Sequence, residues 1–370
     1  MRIIQLITLG HEIYGAQKHV LDLCMVFQKD GHEVLAVVGT AGQLTDRLEE
    51  HGINYKVVPS LKREIRAFSD IKCIGDLRKL YREFKPDIVA THSSKAGVVG
   101  RLACYFSGIP STFTAHGWSF EDGVPFVRRK LFLNIERLLG RISDRIITVA
   151  NSGREHGLKN KVAAPEKLTT IYNSVEDAGS AFPKEKQEVF TMAMVAGFRK
   201  QKDHATLIEA LIPLKDRDWQ LLLLGHGSLL DDIVAQTKAA GLDHKVKFEG
   251  MVSNVSEYLR KTDLMILTTN WEGLPISILE GLSFSLPVVA TDVSGVSEEV
   301  INEYNGFLVD RGNAKQVTEA IEKLMDDPEE LAKYGRNSRL LFEKEFTQEA
   351  MFEKTKALYE EVIALKKKNI

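Results

Sequence analysis

The stretch Leu264-Met-Ile-Leu-Thr-Thr-Asn270-Trp-Glu-Gly-Leu-Pro275-Ile-Ser-Ile-Leu-Glu280-Gly-Leu-Ser-Phe-Ser-Leu-Pro287-Val-Val-Ala290 decides the fold. It opens with a short apolar run, Leu264–Leu267, and passes through a polar loop. A helical segment follows, for which Pro275 suits the first position. A second apolar run, Pro287–Ala290, ends it. Strand, helix and strand at this spacing make one right-handed parallel crossover.

The same alternation runs along the whole chain. In the first half, strands are predicted at Ile3–Leu9, Val34–Val38, Tyr55–Val58, Asp87–Thr91, Thr112–Ala115 and Arg145–Val149. Helices are predicted at Gly15–Lys29, Leu44–His51, Asp70–Phe84, Lys95–Phe106 and Phe126–Ile142. In the second half, strands are predicted at Phe190–Val195, Gln220–Leu224, Val246–Glu249, Leu264–Leu267, Pro287–Ala290 and Phe307–Val309. The fold class is therefore α/β, with two Rossmann-like doubly wound parallel sheets facing across a cleft. The domains are read as 1–172 and 173–370, with a helix near 348–366 that can cross back onto the first. The join lies between Tyr172 and Glu188, through Asn173, Ser174, Gly179, Ser180 and Pro183. Ligands in such sheets bind beyond the carboxyl ends of the strands, where the strand order reverses.

Composition narrows the function. The chain has 370 residues, 44% hydrophobic and 27% charged, which is globular and long enough for two cores. A net charge of -2 gives no support to bulk nucleic-acid binding. The charge is unevenly spread, +7 over residues 1–172 and -9 over 173–370, so the first half is expected to meet something anionic. Cys24, Cys73 and Cys104 have neither metal-binding nor disulfide spacing. The opening MRIIQLITLG turns polar too soon for a signal peptide, and no apolar run is long enough to span a bilayer. A cytoplasmic location is expected.

The dinucleotide fingerprint is missing. Gly10-His-Glu-Ile-Tyr-Gly15 lacks the middle glycine, and Gly225-His-Gly227-Ser-Leu-Leu230 lacks the third. A phosphate could still sit at the helix start Gly15-Ala16, where free N–H groups favour anions. Glu272 precedes the helix beginning near Pro275, and Glu280 follows two turns later, displaced by roughly 80° around the axis. Two carboxylates so placed can bind the hydroxyls of a sugar and a ribose. The backbone of Gly273, Leu274, Pro275 and Ile276 suits a diphosphate.

Glu272 and Glu280 also form the E-x7-E element of the retaining, two-domain nucleotide-sugar glycosyltransferases called family GT4, which have the GT-B fold. The resemblance covers nearly the whole chain. Gly15-Ala-Gln-Lys-His-Val20 resembles the family's glycine loop, with Tyr14 where a glycine is usual. Thr114-Ala-His116-Gly117-Trp118 is similar to its His-Gly segment, and Gln201-Lys202-Asp203 to its phosphate-binding lysine motif. Gly225-His-Gly227, Trp271–Pro275, Pro287–Asp292, Gly295 with Glu298, and Asn305-Gly306 follow in the family's order. Two positions depart from it. Gly197 stands where an arginine is common, with Arg199 two residues on, and Ser285 replaces a turn glycine. Segments around Ser93–Gly97 and Ala115–Phe120 resemble enzymes of bacterial capsule, O-antigen and exopolysaccharide assembly.

The resemblance implies transfer of a sugar from a nucleotide donor, UDP-linked, with retention at the anomeric carbon. His116, Glu272, Arg199 and Lys202 are the catalytic candidates. Gly15, Ala16, Gly225, Gly273, Leu274, Pro275, Ile276 and Glu280 are the donor-binding ones. No cofactor or metal is expected; Asp216-Arg-Asp218 is read as a chance match to a metal motif because it precedes a strand. The implied acceptor is a polyprenyl-diphosphate-linked or other saccharide, met by Ser93, Ser94, Lys95 and Arg63 in the first domain. In the helix Phe126–Ile142, Val127, Leu131, Ile135, Leu138 and Ile142 form an apolar stripe beside Lys130, Arg137 and Arg141. That stripe either packs on the sheet or rests peripherally on the anionic inner face of the cell membrane. The alternatives are a soluble acceptor, a UDP-sugar 2-epimerase of the same fold, and a silent sugar-nucleotide-binding partner.

Overall fold

A computed structural model describes residues 1–64, 66–121, 124–177, 188–252 and 254–368. The chain divides into two compact units, Met1–Asn173 with Gln348–Ile370, and Ser174–Thr347. Residues 178–187 of the expected join, with Gly179, Ser180 and Pro183, lie outside the described residues.

Unit 1 is built on β1 (Arg2–Ile7), β2 (Glu33–Val38), β3 (Asn54–Val57), β4 (Ile88–His92), β5 (Ser111–Ala115), β6 (Arg145–Thr148) and β7 (Leu168–Thr170). All its strand pairs are parallel, in the order 3-2-1-4-5-6-7. Crossovers are made by α1 (Gly15–Lys29), α2 (Gln43–Glu50), α3 (Ala67–Phe84), α4 (Ser94–Ser107), α5 (Phe126–Ile142) and α6 (Asn151–Lys159). Ile3, Ile4 and Leu6 are buried on both faces of β1. This double burial is why the strands read as apolar runs rather than as alternation. The three-residue β7 is too short to show a period and was not expected.

Unit 2 repeats the plan with β8 (Phe190–Val195), β9 (Trp219–Leu224), β10 (Val246–Gly250), β11 (Leu264–Leu267), β12 (Val288–Thr291) and β13 (Gly306–Val309). These strands are also parallel, in the order 10-9-8-11-12-13. Its helices are α7 (His204–Leu211), α8 (Leu230–Ala239), α9 (Val255–Leu259), α10 (Ile276–Ser283), α11 (Val296–Glu299), α12 (Ala314–Asp326) and α13 (Pro328–Glu345). Pro275 is the cap of α10 rather than its first residue.

The last helix, α14 (Gln348–Lys368), belongs to unit 1, so unit 2 ends at Thr347. Its buried positions Met351, Thr355, Leu358, Tyr359 and Val362 follow helical spacing. The Tyr359 ring stacks on Phe27 of α1 at 5.4 Å. Lys356 reaches Asp30 at 2.7 Å and Lys366 reaches Asp144 at 3.1 Å. No described helix is long and apolar enough to cross a membrane.

Helix α5 does not bury the stripe that its sequence suggests. Val127, Leu131 and Leu138 are 78%, 54% and 60% exposed, whereas Glu136, Leu139 and Gly140 are buried. The inward side packs Phe132 and Leu133 into a core cluster and also carries a buried ion pair. Arg101 of α4 is fully buried, and its guanidinium donates to Glu136 at 2.8 Å while lying 4.1 Å from the centre of the Phe113 ring. Burial lowers the Arg101 pKa, and Glu136 opposes that shift. The pair and the apolar Phe132, Leu133 and Leu139 together hold the Glu136 side of α5 inward. Breaking such a pair strands one charge. Glu136→Ala is expected to cost about 3–5 kcal/mol in urea unfolding, with most of it recovered in the double variant Arg101→Met/Glu136→Leu.

Candidate active site

In unit 2 the strand order reverses between β8 and β11, which pair directly. The loops that follow these two strands are bonded together. Asn270 N–H donates to the Gln201 carbonyl at 2.7 Å, and Gln201 Nε2 donates to the Trp271 carbonyl at 2.6 Å. Asn270 Nδ2 donates to the Lys200 carbonyl at 3.0 Å. These bonds bring Lys202 against Glu272, Nζ to Oε1, at 2.5 Å. The Thr269 hydroxyl lies 2.7 Å from the same oxygen. Glu272 is only 8% exposed, yet among the described residues its Oε2 takes no hydrogen bond. A nearly buried carboxylate anchored through one oxygen has the other left as an acceptor.

The rest of the predicted donor set lies around this pair. Glu280 is half-buried on α10, between the buried Leu279 and Gly281. Gly273, Leu274, Pro275 and Ile276 form the turn into α10. That turn is held from behind by Gly295, whose φ is +84° and whose added Cβ would fall 1.6 Å from the Gly273 carbonyl oxygen. Gly225 has φ +145°, and a Cβ there would lie 2.2 Å from the Ala196 oxygen, so only glycine lets the loops after β8 and β9 meet. Arg199 is exposed at the start of the Lys200–Lys202 turn. Its Nε lies 3.7 Å from where a Gly197 Cβ would be, so its side chain covers the position at which the family often has arginine. Asp216-Arg217-Asp218 precedes β9 at the amino edge, with Arg217 paired to Asp326.

Glu299 was missed by the sequence reading, which stopped at Glu298. It is fully buried, and among the described residues neither carboxylate oxygen has a hydrogen-bond partner. Burial raises its pKa well above the usual 4.5, and the Glu272 charge pushes it further, against an opposing pull from Lys202. Its place between the buried Val296 and Val300 was the available signal.

In unit 1 the order reverses between β1 and β4. Here the Thr8 and Ser93 hydroxyls bond at 2.8 Å, and Thr8 Oγ1 accepts from the Ala96 N–H at 3.1 Å. Gly15 and Ala16 open α1 behind Tyr14, whose extended backbone (φ -114°, ψ -173°) accepts a bulky residue without strain. Gln17 ties this turn down, with its Oε1 accepting from Tyr14 N–H at 3.3 Å and its Nε2 donating to the Leu9 carbonyl at 3.2 Å.

His116, directly after β5, joins His92 and His19 in a cluster whose nearest nitrogens all lie within 4.8 Å of one another. Burial keeps all three neutral near pH 7: His19 is lowered to about 4, and His92 and His116 fall well below 6.5. The hydrogen bonds select tautomers. Gln5 Nε2 donates to Tyr359 OH at 3.4 Å, which turns Gln5 Oε1 to His92 Nε2 at 2.8 Å. His92 therefore carries its proton on Nε2, and its Nδ1 accepts from His116 Nε2 at 3.3 Å. That leaves a lone pair on His116 Nδ1, which among the described residues has no partner. Neutral imidazoles ligate metals, and among the described residues this trio could hold a cation, but the ion would have to break the His92–His116 bond.

The expected acceptor residues do not form one group. Ser93 is bound to Thr8, Ser94 is exposed on the first turn of α4, and Arg63 is exposed in the loop before α3. Ile65 of that basic loop lies outside the described residues. Lys95, expected at the acceptor, is buried and paired with Asp70.

The Glu299 site makes a stability prediction. A carboxyl whose pKa is raised on folding favours the fold below its unfolded value of 4.5, and that contribution is lost as pH rises through the folded pKa. Glu299→Gln should melt like the wild type at pH 4 and at higher temperature at pH 8. Equal melting temperatures at both pH values would remove Glu299 from this role.

Comparison with known proteins agrees with this geometry. The model for Glycosyltransferase Family 4 matches residues 13–178, and that for Glycosyl transferases group 1 matches residues 177–341. The UDP-Gal:alpha-D-GlcNAc-diphosphoundecaprenol alpha-1,3-galactosyltransferase of Escherichia coli is 27% identical over 334 residues, covering 85% of each chain. The capsular polysaccharide biosynthesis glycosyltransferase CapM of Staphylococcus aureus is 25% identical, covering 82% of this chain and 84% of its own. Among solved structures, Anabaena HepE in complex with UDP superposes with a TM-score of 0.84 at 19% identity, covering 98% of this chain and 100% of that one. Matched in both halves by these models and in fold by that structure, the chain belongs to the GT4-type glycosyltransferases of the GT-B fold.

Proposed function

We propose that the protein is a retaining, metal-independent hexosyltransferase that moves a sugar from a UDP-sugar to a polyprenyl-diphosphate-linked saccharide during assembly of a bacterial surface polysaccharide. The observation that carries this reading is the Lys202–Glu272 pair at the strand-order switch of unit 2. Unit 2 would hold the donor and unit 1 the acceptor. Glu272 would bind hydroxyls of the transferred sugar through Oε2, and Glu280 those of the ribose. Lys202 and Arg199, with the N–H groups of the Gly273–Ile276 turn, would stabilise the charge that grows on the leaving diphosphate. The two cations differ usefully, since Arg offers a planar fork and Lys a point charge. His116 would serve as a neutral imidazole over the whole physiological pH range.

Support for the acceptor comes from relatives. The E. coli protein is named for a diphosphoundecaprenol substrate, as is a Campylobacter jejuni relative 28% identical over half of this chain. Support for a UDP donor comes from the HepE complexes with UDP and UDP-glucose. Retention would follow a front-face route in which the donor phosphate takes the acceptor's proton, since no residue is assigned as a carboxylate nucleophile. The location proposed is cytoplasmic and peripheral, on the anionic inner face of the membrane. An epimerase would act without any acceptor, and the relatives named above are transferases.

Two measurements test this. Nucleotide release from a panel of nucleotide sugars, each with and without a lipid-diphosphate saccharide, should be strongest for one UDP-sugar and should need the acceptor. Turnover of UDP-GlcNAc with no acceptor would favour the epimerase. In the same assay, Glu272→Ala and Lys202→Ala should each lower transfer at least about tenfold, the loss expected when preorganised charge is removed. Near wild-type rates in both would sink the site assignment.

A further inference from the structure

Unit 1 contains a second charged feature, far from the histidine cluster. A cavity of about 770 Å³ is lined by Arg137, Gly140 and Arg141 of α5 and by the segment from Lys161 to Lys167. Four cations face it: Arg137, Arg141, Lys161 and Lys167. Among the described residues none of the four is in an ion pair with a carboxylate. Asp144 lies near Lys167 but is already engaged by Lys366 at 3.1 Å and by the Ser111 N–H at 2.9 Å, which leaves the exposed Glu166 as the other nearby acid.

The pocket is held by the backbone around it. Gly140 approaches the next segment so closely that a Cβ would lie 2.0 Å from the Val162 carbonyl oxygen, and Val162 is itself buried. Arg137 Nε donates to the Asn160 carbonyl at 2.9 Å, which fixes the guanidinium. Lys167 Nζ donates to the carbonyls of Gly140 at 3.3 Å and Arg141 at 2.9 Å, closing the end of α5. Arg141 and Lys161 are exposed. Burial lowers the Lys167 pKa, partly countered by Asp144 and Glu166, so an anion in the pocket would favour its charged form. Four cations on a fixed frame suit the several oxygens of a phosphate group.

We propose that this pocket is a phosphate-binding site, and that the phosphate it takes is the headgroup of an anionic lipid. Position separates it from the transfer site. Helix α5 runs from the His116 side of the sheet to the start of β6, and its 17 residues span about 25 Å. A diphosphate at His116 does not reach this pocket. The lipid source is favoured by the flank of the same helix, where Val127, Leu131 and Leu138 are exposed. At 3.6 residues per turn these three fall within about 40° of one another, beside Lys130 and Arg141. Apolar side chains next to cations are what an anionic membrane surface binds, and a free phosphate would have no use for them. The proposal deepens the peripheral-membrane part of the proposed function and rests on neither its donor nor its acceptor.

The test uses the full chain in sedimentation with vesicles of phosphatidylcholine alone and with added phosphatidylglycerol. Acylation of Lys161, read by mass spectrometry, runs in parallel with the same vesicles and with inorganic phosphate. The wild type should bind the anionic vesicles at low salt, and they should protect Lys161. Arg141→Gln/Lys161→Gln should lower partitioning at least about tenfold, at roughly 1 kcal/mol per surface cation. Its melting temperature and nucleotide release should be unchanged. Binding undiminished in that variant would overturn the pocket while leaving the membrane reading standing. Protection by inorganic phosphate without vesicle binding would overturn the lipid source and keep the phosphate site. Neither binding nor protection would overturn both, and nucleotide release would still report on the transferase reading.

Discussion

Both halves of this protein depend on one topological constraint. In a parallel sheet whose order runs outward from two central strands, the connections leaving those strands go to opposite faces. No backbone segment can cover the gap left at their carboxyl ends, so side chains fill it. Unit 1 fills it with hydroxyls and imidazoles, through Thr8, Ser93, His92 and His116. Unit 2 fills it with charge, through Lys202 and Glu272. The two solutions share a topology and differ in chemistry, as expected when function is added to a scaffold rather than dictated by it.

The electrostatics of the unit 2 site are finely set. Glu272 is balanced by Lys202, and burial raises the pKa of Glu299 nearby well above the usual range. An ionised Glu299 would add a second negative charge beside a pocket proposed to take a diphosphate. Keeping that carboxyl dry therefore serves binding, at a cost in stability as pH rises. The imidazoles of unit 1 follow a similar rule, since burial holds them neutral and a chain of hydrogen bonds from Tyr359 through Gln5 fixes which nitrogen carries the proton.

Much of this was legible in the residues. Apolar runs doubly buried in parallel sheets placed most strands within one or two residues, and the loop from Asn270 to Pro275 announced its helix and its carboxylates. What escaped had physical causes. β7 is three residues long and carries no period. Glu136 and Glu299 look like ordinary surface glutamates until a buried arginine, or two flanking valines, draws them inward. Val127, Leu131 and Leu138 of α5 imitate a core stripe, while Phe132, Leu133 and Leu139, with Glu136 against the buried Arg101, form the side that packs. Gln5 and His92 acquire meaning through partners more than eighty residues distant, which local pattern cannot supply.

The placement of α14 bears on how the molecule is made. The core of unit 1 includes Met351, Leu358, Tyr359 and Val362 packed with Val20, Phe27 and the first strands. During synthesis the first 173 residues leave the ribosome long before these side chains exist, so one of their core clusters waits incomplete. Unit 2 is continuous in the chain and complete by Thr347. The unit encoded second can thus finish folding first, and the unit encoded first completes its core only when α14 has emerged.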